Sequence, residues 1–171
     1  MNGDSRPTCV RFWYYIHIVE ILKAGKLKVW KKNIITGNQI LMWSLQNSPL
    51  YEWREASFTY QDFDAHRIIF EGIRGTAVSD IAIDDISFSK ASECGFFPDV
   101  AKPNGTVTNT VSTTRTTTKS FTTYTWLQQS DYDCNFENDF CSWSNDNTAN
   151  FNWTRGKGPT PNFFTGNSRK R

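Results

Sequence analysis

The sequence predicts an all-β protein, a sandwich of antiparallel sheets, on three observations. Aromatic residues make up 15% of the 171 residues, with thirteen Phe, seven Trp and six Tyr, and such side chains suit a pleated, half-buried surface. Apolar and polar residues alternate over short runs separated by turn residues, the period of a strand with one buried face. No ten-residue stretch carries capped helical periodicity.

The strands follow in order. Phe12, Tyr14, Ile16 and Ile18 alternate with Arg11, Trp13, Tyr15 and His17. Leu27 and Val29 alternate with Lys26, Lys28 and Trp30 after a turn at Gly25, and the lysines discourage edge pairing. Gln39 to Leu45 follows the turn Thr36-Gly37-Asn38. Ala56, Phe58 and Tyr60 alternate with Ser57 and Thr59, and Ile68 and Phe70 with Ile69 and Glu71. Ile81 and Ile83 hold one phase, then Ile86 and Phe88 the opposite one. A one-residue slip turns every later side chain to the other face, so Asp84-Asp85 predicts a bulge or sharp bend.

Composition divides the chain into three regions. Residues 9–94 are strand-rich, 95–131 form a flexible linker, and 132–171 are rich in aromatic and turn residues. Within the linker, thirteen of the twenty residues Thr106 to Thr125 are Thr or Ser. Such a segment buries too little apolar surface to offset its ordering entropy and suits an O-glycosylated stalk.

Nineteen Lys and Arg balance seventeen Asp and Glu, which gives no reason to expect a nucleic acid or an anionic membrane as partner. There is no eighteen-residue apolar run and no apolar core in the first eight residues, so neither a membrane span nor a signal peptide is expected. The four cysteines, Cys9, Cys94, Cys134 and Cys141, admit three pairings. Cys9–Cys94 with Cys134–Cys141 is favoured because each pair stays on its own side of the linker. N-glycosylation sequons begin at Asn104 and Asn152. With the paired cysteines they point to the secretory route.

Catalysis is not expected. No GxSxG, HExxH or phosphate-binding Gly-rich loop occurs. Adjacent carboxylates in a strand point to opposite faces and cannot flank one substrate unless the bulge realigns them. Glu71 and Arg74 suit a turn salt bridge, and Trp153 with Arg155 suits a cation–π contact.

Several segments now fall into a known order. Cys9-Val-Arg-Phe-Trp-Tyr-Tyr-Ile, Gly25-Lys-Leu-Lys-Val, Trp43-Ser, Trp53 with Ala56, and Phe70-Glu-Gly-Ile-Arg-Gly75 lead to Asp80-Ile-Ala-Ile-Asp-Asp-Ile-Ser-Phe88 and Cys94. This resembles the C-terminal half of a MAM domain, the module of meprin, A-5 antigen and receptor tyrosine phosphatase mu. Cys134-Asn-Phe-Glu137, Cys141-Ser-Trp143, Phe151-Asn-Trp-Thr-Arg155 and Gly158-Pro-Thr-Pro161 resemble the opening part of a second such domain.

The resemblance implies a jelly-roll, concanavalin A-like sandwich, present here as two incomplete modules. It implies pairing of the first cysteine with the second and the third with the fourth. It also implies adhesion at the cell surface or outside the cell, with other cell-surface or extracellular proteins as partners, homophilic contact included. Membrane attachment would then come only through parts of a longer protein. The chain is accordingly expected to be a fragment of a tandem-module receptor or secreted protein, with exposed sheet edges and low solubility. The alternative is that region three folds back onto region one, as in a circular permutation. A flexible linker of that length reaches tens of ångströms at roughly 5–6 Å × √n.

The resemblance further implies a cation beside the strand aspartates and the glutamate of the opening motif, here Asp84 or Asp85 and Glu137, with calcium the ion such oxygens suit. The preferred reading is structural, with carboxylates accepting backbone N–H groups at a bent strand end. Two other functions stay open: a lectin-like carbohydrate binder using Trp153, and the accessory ectodomain of a membrane protease or phosphatase.

Overall fold

The computed structural model describes residues 1, 4–16, 25–46, 52–75, 80–90, 92–103 and 130–156. Among the described residues six strands form in order: β1 (Asp4–Ile16), β2 (Lys26–Asn33), β3 (Gln39–Gln46), β4 (Arg54–Asp62), β5 (His66–Ile73) and β6 (Ile81–Lys90). They build two three-stranded sheets, ordered β4-β1-β6 and β3-β2-β5, with every pairing antiparallel. The predicted sandwich is therefore the observed fold. The expected strand at Gln39 to Leu45 is β3, while Ile18 and the linker tract lie outside the described residues.

The alternation explains the core. Val10, Phe12, Tyr14 and Ile16 of β1 are buried, as are Ala56, Phe58 and Tyr60 of β4 and Ile86 and Phe88 of β6. Leu27, Val29, Trp43, Leu45, Ile68 and Phe70 meet them from the other sheet. Phe12 joins the layers, with its ring 5.2 Å from Trp43 and 5.0 Å from Phe70, both edge-on. This is the preferred geometry of aromatic quadrupoles.

The bulge falls where the phase change placed it. Arg11 pairs with Ser87, but Trp13 pairs with Asp84, so β6 carries one extra residue against β1. Asp85 takes it up at φ 46°, in the left-handed region that Asp tolerates better than most residues. Ile86 and Phe88 are thereby turned into the core.

Residues 130–156 lie against the flank between β6 and β5. Cys134 exchanges both backbone hydrogen bonds with Ile86, at 2.8 and 2.9 Å. The backbone N–H of Phe88 donates to the Asp133 carboxylate at 2.7 Å. Trp143 stacks on Phe88 at 6.2 Å and meets Phe70 edge-on at 5.4 Å, so it touches both sheets. This arrangement corresponds to the fold-back alternative.

The edges differ from expectation. At β4, Ser57 and Phe97 exchange backbone hydrogen bonds at 3.0 and 2.8 Å, and at β6 Cys134 does the same for Ile86. Both edge strands of the first sheet are thus partly paired, because short flanking segments supply the missing donors and acceptors.

Candidate functional site

The best candidate surface lies at one end of the sandwich, where two strand connections meet. Asn33 closes the β2–β3 turn: its Oδ1 accepts from the N–H groups of Ile35 and Thr36, both at 2.8 Å. Gly37 completes the turn at φ 76°, a conformation that favours glycine. The same Asn33 donates through Nδ2 to the Asp64 carboxylate at 3.0 Å, and Ile34 N–H donates to Ala65 O at 3.0 Å. These bonds join the β2–β3 tip to the β4–β5 tip.

The paired tips expose apolar side chains. Ile35 is 81% exposed, Phe63 78% and Ile34 49%. Sequence reading passed over them because it took Thr36-Gly37-Asn38 as turn chemistry alone. The signal was the pair of isoleucines placed directly against that turn.

Two disulfides frame the molecule. Cys9 is bonded to Cys94 across 85 positions, and Cys134 to Cys141 across 7. The first ties the central strand β1 to the segment after β6. Thr59 Oγ1 holds that segment too, accepting from Cys94 N–H at 2.8 Å. In the chain-entropy account, a loop of this length contributes about 4–5 kcal/mol.

The residues expected to hold calcium, Asp84 or Asp85 and Glu137, all lie among the described residues. Among the described residues, no group of three or more His, Cys, Asp or Glu side chains could hold a metal ion. Asp84 Oδ1 accepts from the N–H of Asp85 at 2.8 Å, as a carboxylate at a bent strand does. Glu137 is placed by its backbone: its N–H donates to Asn135 Oδ1 at 3.2 Å, and its carbonyl accepts from Arg155 at 2.9 Å.

The remaining site residues have distinct fates. Arg155 is directed to the Glu137 carbonyl, while Trp153 lies on the sheet with its Nε1 donating to Phe70 O at 3.2 Å. Trp153 is half-buried there, its ring packed against Gly72. Glu71 accepts from Trp30 Nε1 at 2.8 Å and pairs with Lys28 at 3.3 Å. Asn152 and Thr154 of the second sequon are exposed, whereas Asn104 lies outside the described residues.

The model of the MAM domain, meprin/A5/mu, matches residues 1–95. The human MAM domain-containing protein 2 is 33% identical over 103 residues, covering 60% of this chain and 14% of that protein. The Xenopus laevis thyroid hormone-induced protein B is 30% identical over 90 residues, 52% of this chain and 13% of that protein. The rat MAM domain-containing glycosylphosphatidylinositol anchor protein 1 is 32% identical over 95 residues, 54% of this chain and 10% of that protein. The chain thus spans about a seventh or less of the length of these relatives. With its model matched over more than half of the sequence and its two-sheet sandwich in place, the chain belongs to the MAM domain family.

Proposed function

We propose that this chain is a non-catalytic extracellular adhesion module that binds other cell-surface or extracellular proteins, with homophilic contact among its modes. The observation that carries this reading is the joined pair of strand tips exposing Ile35 and Phe63. Exposed apolar residues gathered at one place mark contact surfaces, and aromatic side chains supply much of the energy at such surfaces. The two disulfides and the exposed Asn152 sequon favour an oxidising, secretory setting. One relative's name carries a glycosylphosphatidylinositol anchor, which supports a cell-surface location for the longer protein.

We further read the chain as part of a tandem-MAM receptor or secreted protein, with residues 132–171 opening a second module after the linker of 95–131. Residues 134–155 carry the opening motif, and they occupy the β5–β6 flank of the first module.

A bead assay tests the binding surface. Beads coated with the chain should cluster with each other or bind cells that display the partner. Ile35→Asp and Phe63→Asp should each reduce that binding at least about tenfold, a loss of roughly 1.4 kcal/mol or more. Undiminished binding by both variants would refute the assignment of this surface.

A further inference from the structure

On the outer face of the first sheet lies a cleft of about 400 Å³, lined by Arg11, Trp13, Glu55, Asp85, Asp133 and Asn135 among others. Its floor is a consequence of strand register. Trp13 of the central strand pairs with Glu55 on β4 and with Asp84 on β6, and Arg11 pairs with Ser57 and Ser87. Residues two apart on a strand share a face, and directly opposed residues have Cβ atoms about 4.5–5.5 Å apart. Trp13 and Arg11 thus form the middle of a floor with Glu55 on one side. On the other side, the bulge puts Asp85 at the cleft through its left-handed backbone. Bulges commonly re-aim a side chain in this way.

The far wall comes from the segment docked on β6. Asp133 is fixed, with Oδ1 accepting from Phe88 N–H at 2.7 Å and Oδ2 from Ser130 N–H at 3.2 Å. Asn135 accepts through Oδ1 from Glu137 N–H at 3.2 Å, which leaves its amide NH₂ as a donor. The Cys134–Cys141 disulfide ties this wall together. The cleft volume falls within the range of small-ligand sites, about 300–1,000 Å³.

We infer that this cleft binds a short neutral saccharide, with Trp13 as the stacking surface and Glu55 with Asp85 as acceptors for sugar hydroxyls. The chemistry selects the class. An indole offers an apolar plate for the C–H face of a pyranose. Carboxylates accept strong, charge-assisted hydrogen bonds from hydroxyl donors. Arg11 and the Asn135 amide donate to the ring and hydroxyl oxygens. One cation against the three carboxylates of Glu55, Asp85 and Asp133 makes the lining net acidic, which repels sulfated and sialylated glycans. The inference is independent of protein adhesion, because the cleft and the strand tips involve different residues.

The test uses the full 171-residue chain on an array of neutral oligosaccharides, with sulfated and sialylated glycans as a counter-panel. Binding is expected on the neutral panel. Trp13→Ala should abolish it, and Glu55→Gln, which keeps the side-chain shape, should weaken it about tenfold or more. Trp30→Ala, in the second sheet, should leave it unchanged. Melting curves of each variant report whether the fold is retained, and Glu55→Gln carries the test if Trp13→Ala unfolds. An array without neutral-glycan binding overturns the inference. So does binding confined to anionic glycans, binding that survives Glu55→Gln undiminished, or equal loss in Trp30→Ala.

Discussion

Trp153 lies against Gly72 so closely that a Cβ added to the glycine would sit 3.1 Å from its Cζ2 and 3.2 Å from its Cη2. The indole is oriented from both ends. Its Nε1 donates to Phe70 O, while Asn145 accepts from the Trp153 N–H at 2.8 Å and donates to its carbonyl at 3.1 Å. A glycine on β5 thus makes room for an aromatic ring from a segment some eighty residues later, and the ring closes the flank beside Phe70.

This relationship predicts a coupling. Gly72→Ala should cost about 1 kcal/mol by pushing the indole off the strand, and Trp153→Ala about 1–3 kcal/mol, below the usual range for a fully buried Trp. In the Trp153→Ala background, Gly72→Ala should be neutral or stabilising, because alanine outranks glycine in a strand when nothing crowds it. Urea melts of the four proteins give the cycle. An equal cost of Gly72→Ala in both backgrounds would mean that the ring does not rest on this glycine.

Much of the sandwich was legible because its signal is local. Phe12, Tyr14 and Ile16 are all buried as their alternation predicts, although Tyr15 between the last two is buried as well. The slip at Asp84-Asp85 was equally readable, since a period of two makes any insertion visible as a change of phase. What was not legible is what distant segments do to one another. The sequence places Trp153 beside Arg155, but Gly72, some eighty residues away, decides where the ring goes. The outward row of Glu55, Trp13 and Asp84 depends on register across three strands, which alternation within any one strand does not specify. The exposed tips are not legible from alternation, because the Asn33 turn that carries Ile34 and Ile35 is tied to Asp64 and Ala65 some thirty residues later.

The bulge supports a second prediction. Asp85 sits at φ 46°, where a β-branched side chain is strained. Asp85→Val should destabilise by about 1–2 kcal/mol, while Asp85→Asn should stay within about 0.5 kcal/mol, since Asn visits this region readily. Denaturant titration distinguishes them. Equal stabilities would show that the backbone at this position is not left-handed in solution.

The two disulfides should differ in weight. The loop-closure account assigns about 4–5 kcal/mol to the Cys9–Cys94 bond and about 2–3 kcal/mol to Cys134–Cys141, because their separations are 85 and 7. The double variant Cys9→Ala/Cys94→Ala should therefore lose more stability than Cys134→Ala/Cys141→Ala. The smaller pair should instead loosen residues 130–156, read as faster amide exchange at Cys134 and Trp143. Equal melting losses, or an unchanged exchange rate, would contradict this division of labour.

Tyr14 links the core to alkaline pH. Burial raises its phenol above the ordinary value of 10.0, and the Arg54 guanidinium, by charge and hydrogen bond, offsets only part of that. The folded chain therefore holds this proton more tightly than the unfolded chain. Below pH 10 both states are protonated, so the contribution is fully present there. As pH rises past 10 the unfolded state ionises first, and stability falls until the folded-state phenol titrates as well. Tyr14→Phe removes the ionisable group while keeping the ring that lies 5.4 Å from Trp43. Stability measured by urea melts between pH 8 and 11.5 should decline less steeply above pH 10 for Tyr14→Phe than for the native chain. The two proteins differ only in this hydroxyl, so the difference between the two curves isolates it. Parallel curves would show that the Tyr14 proton is held no more tightly in the fold than out of it.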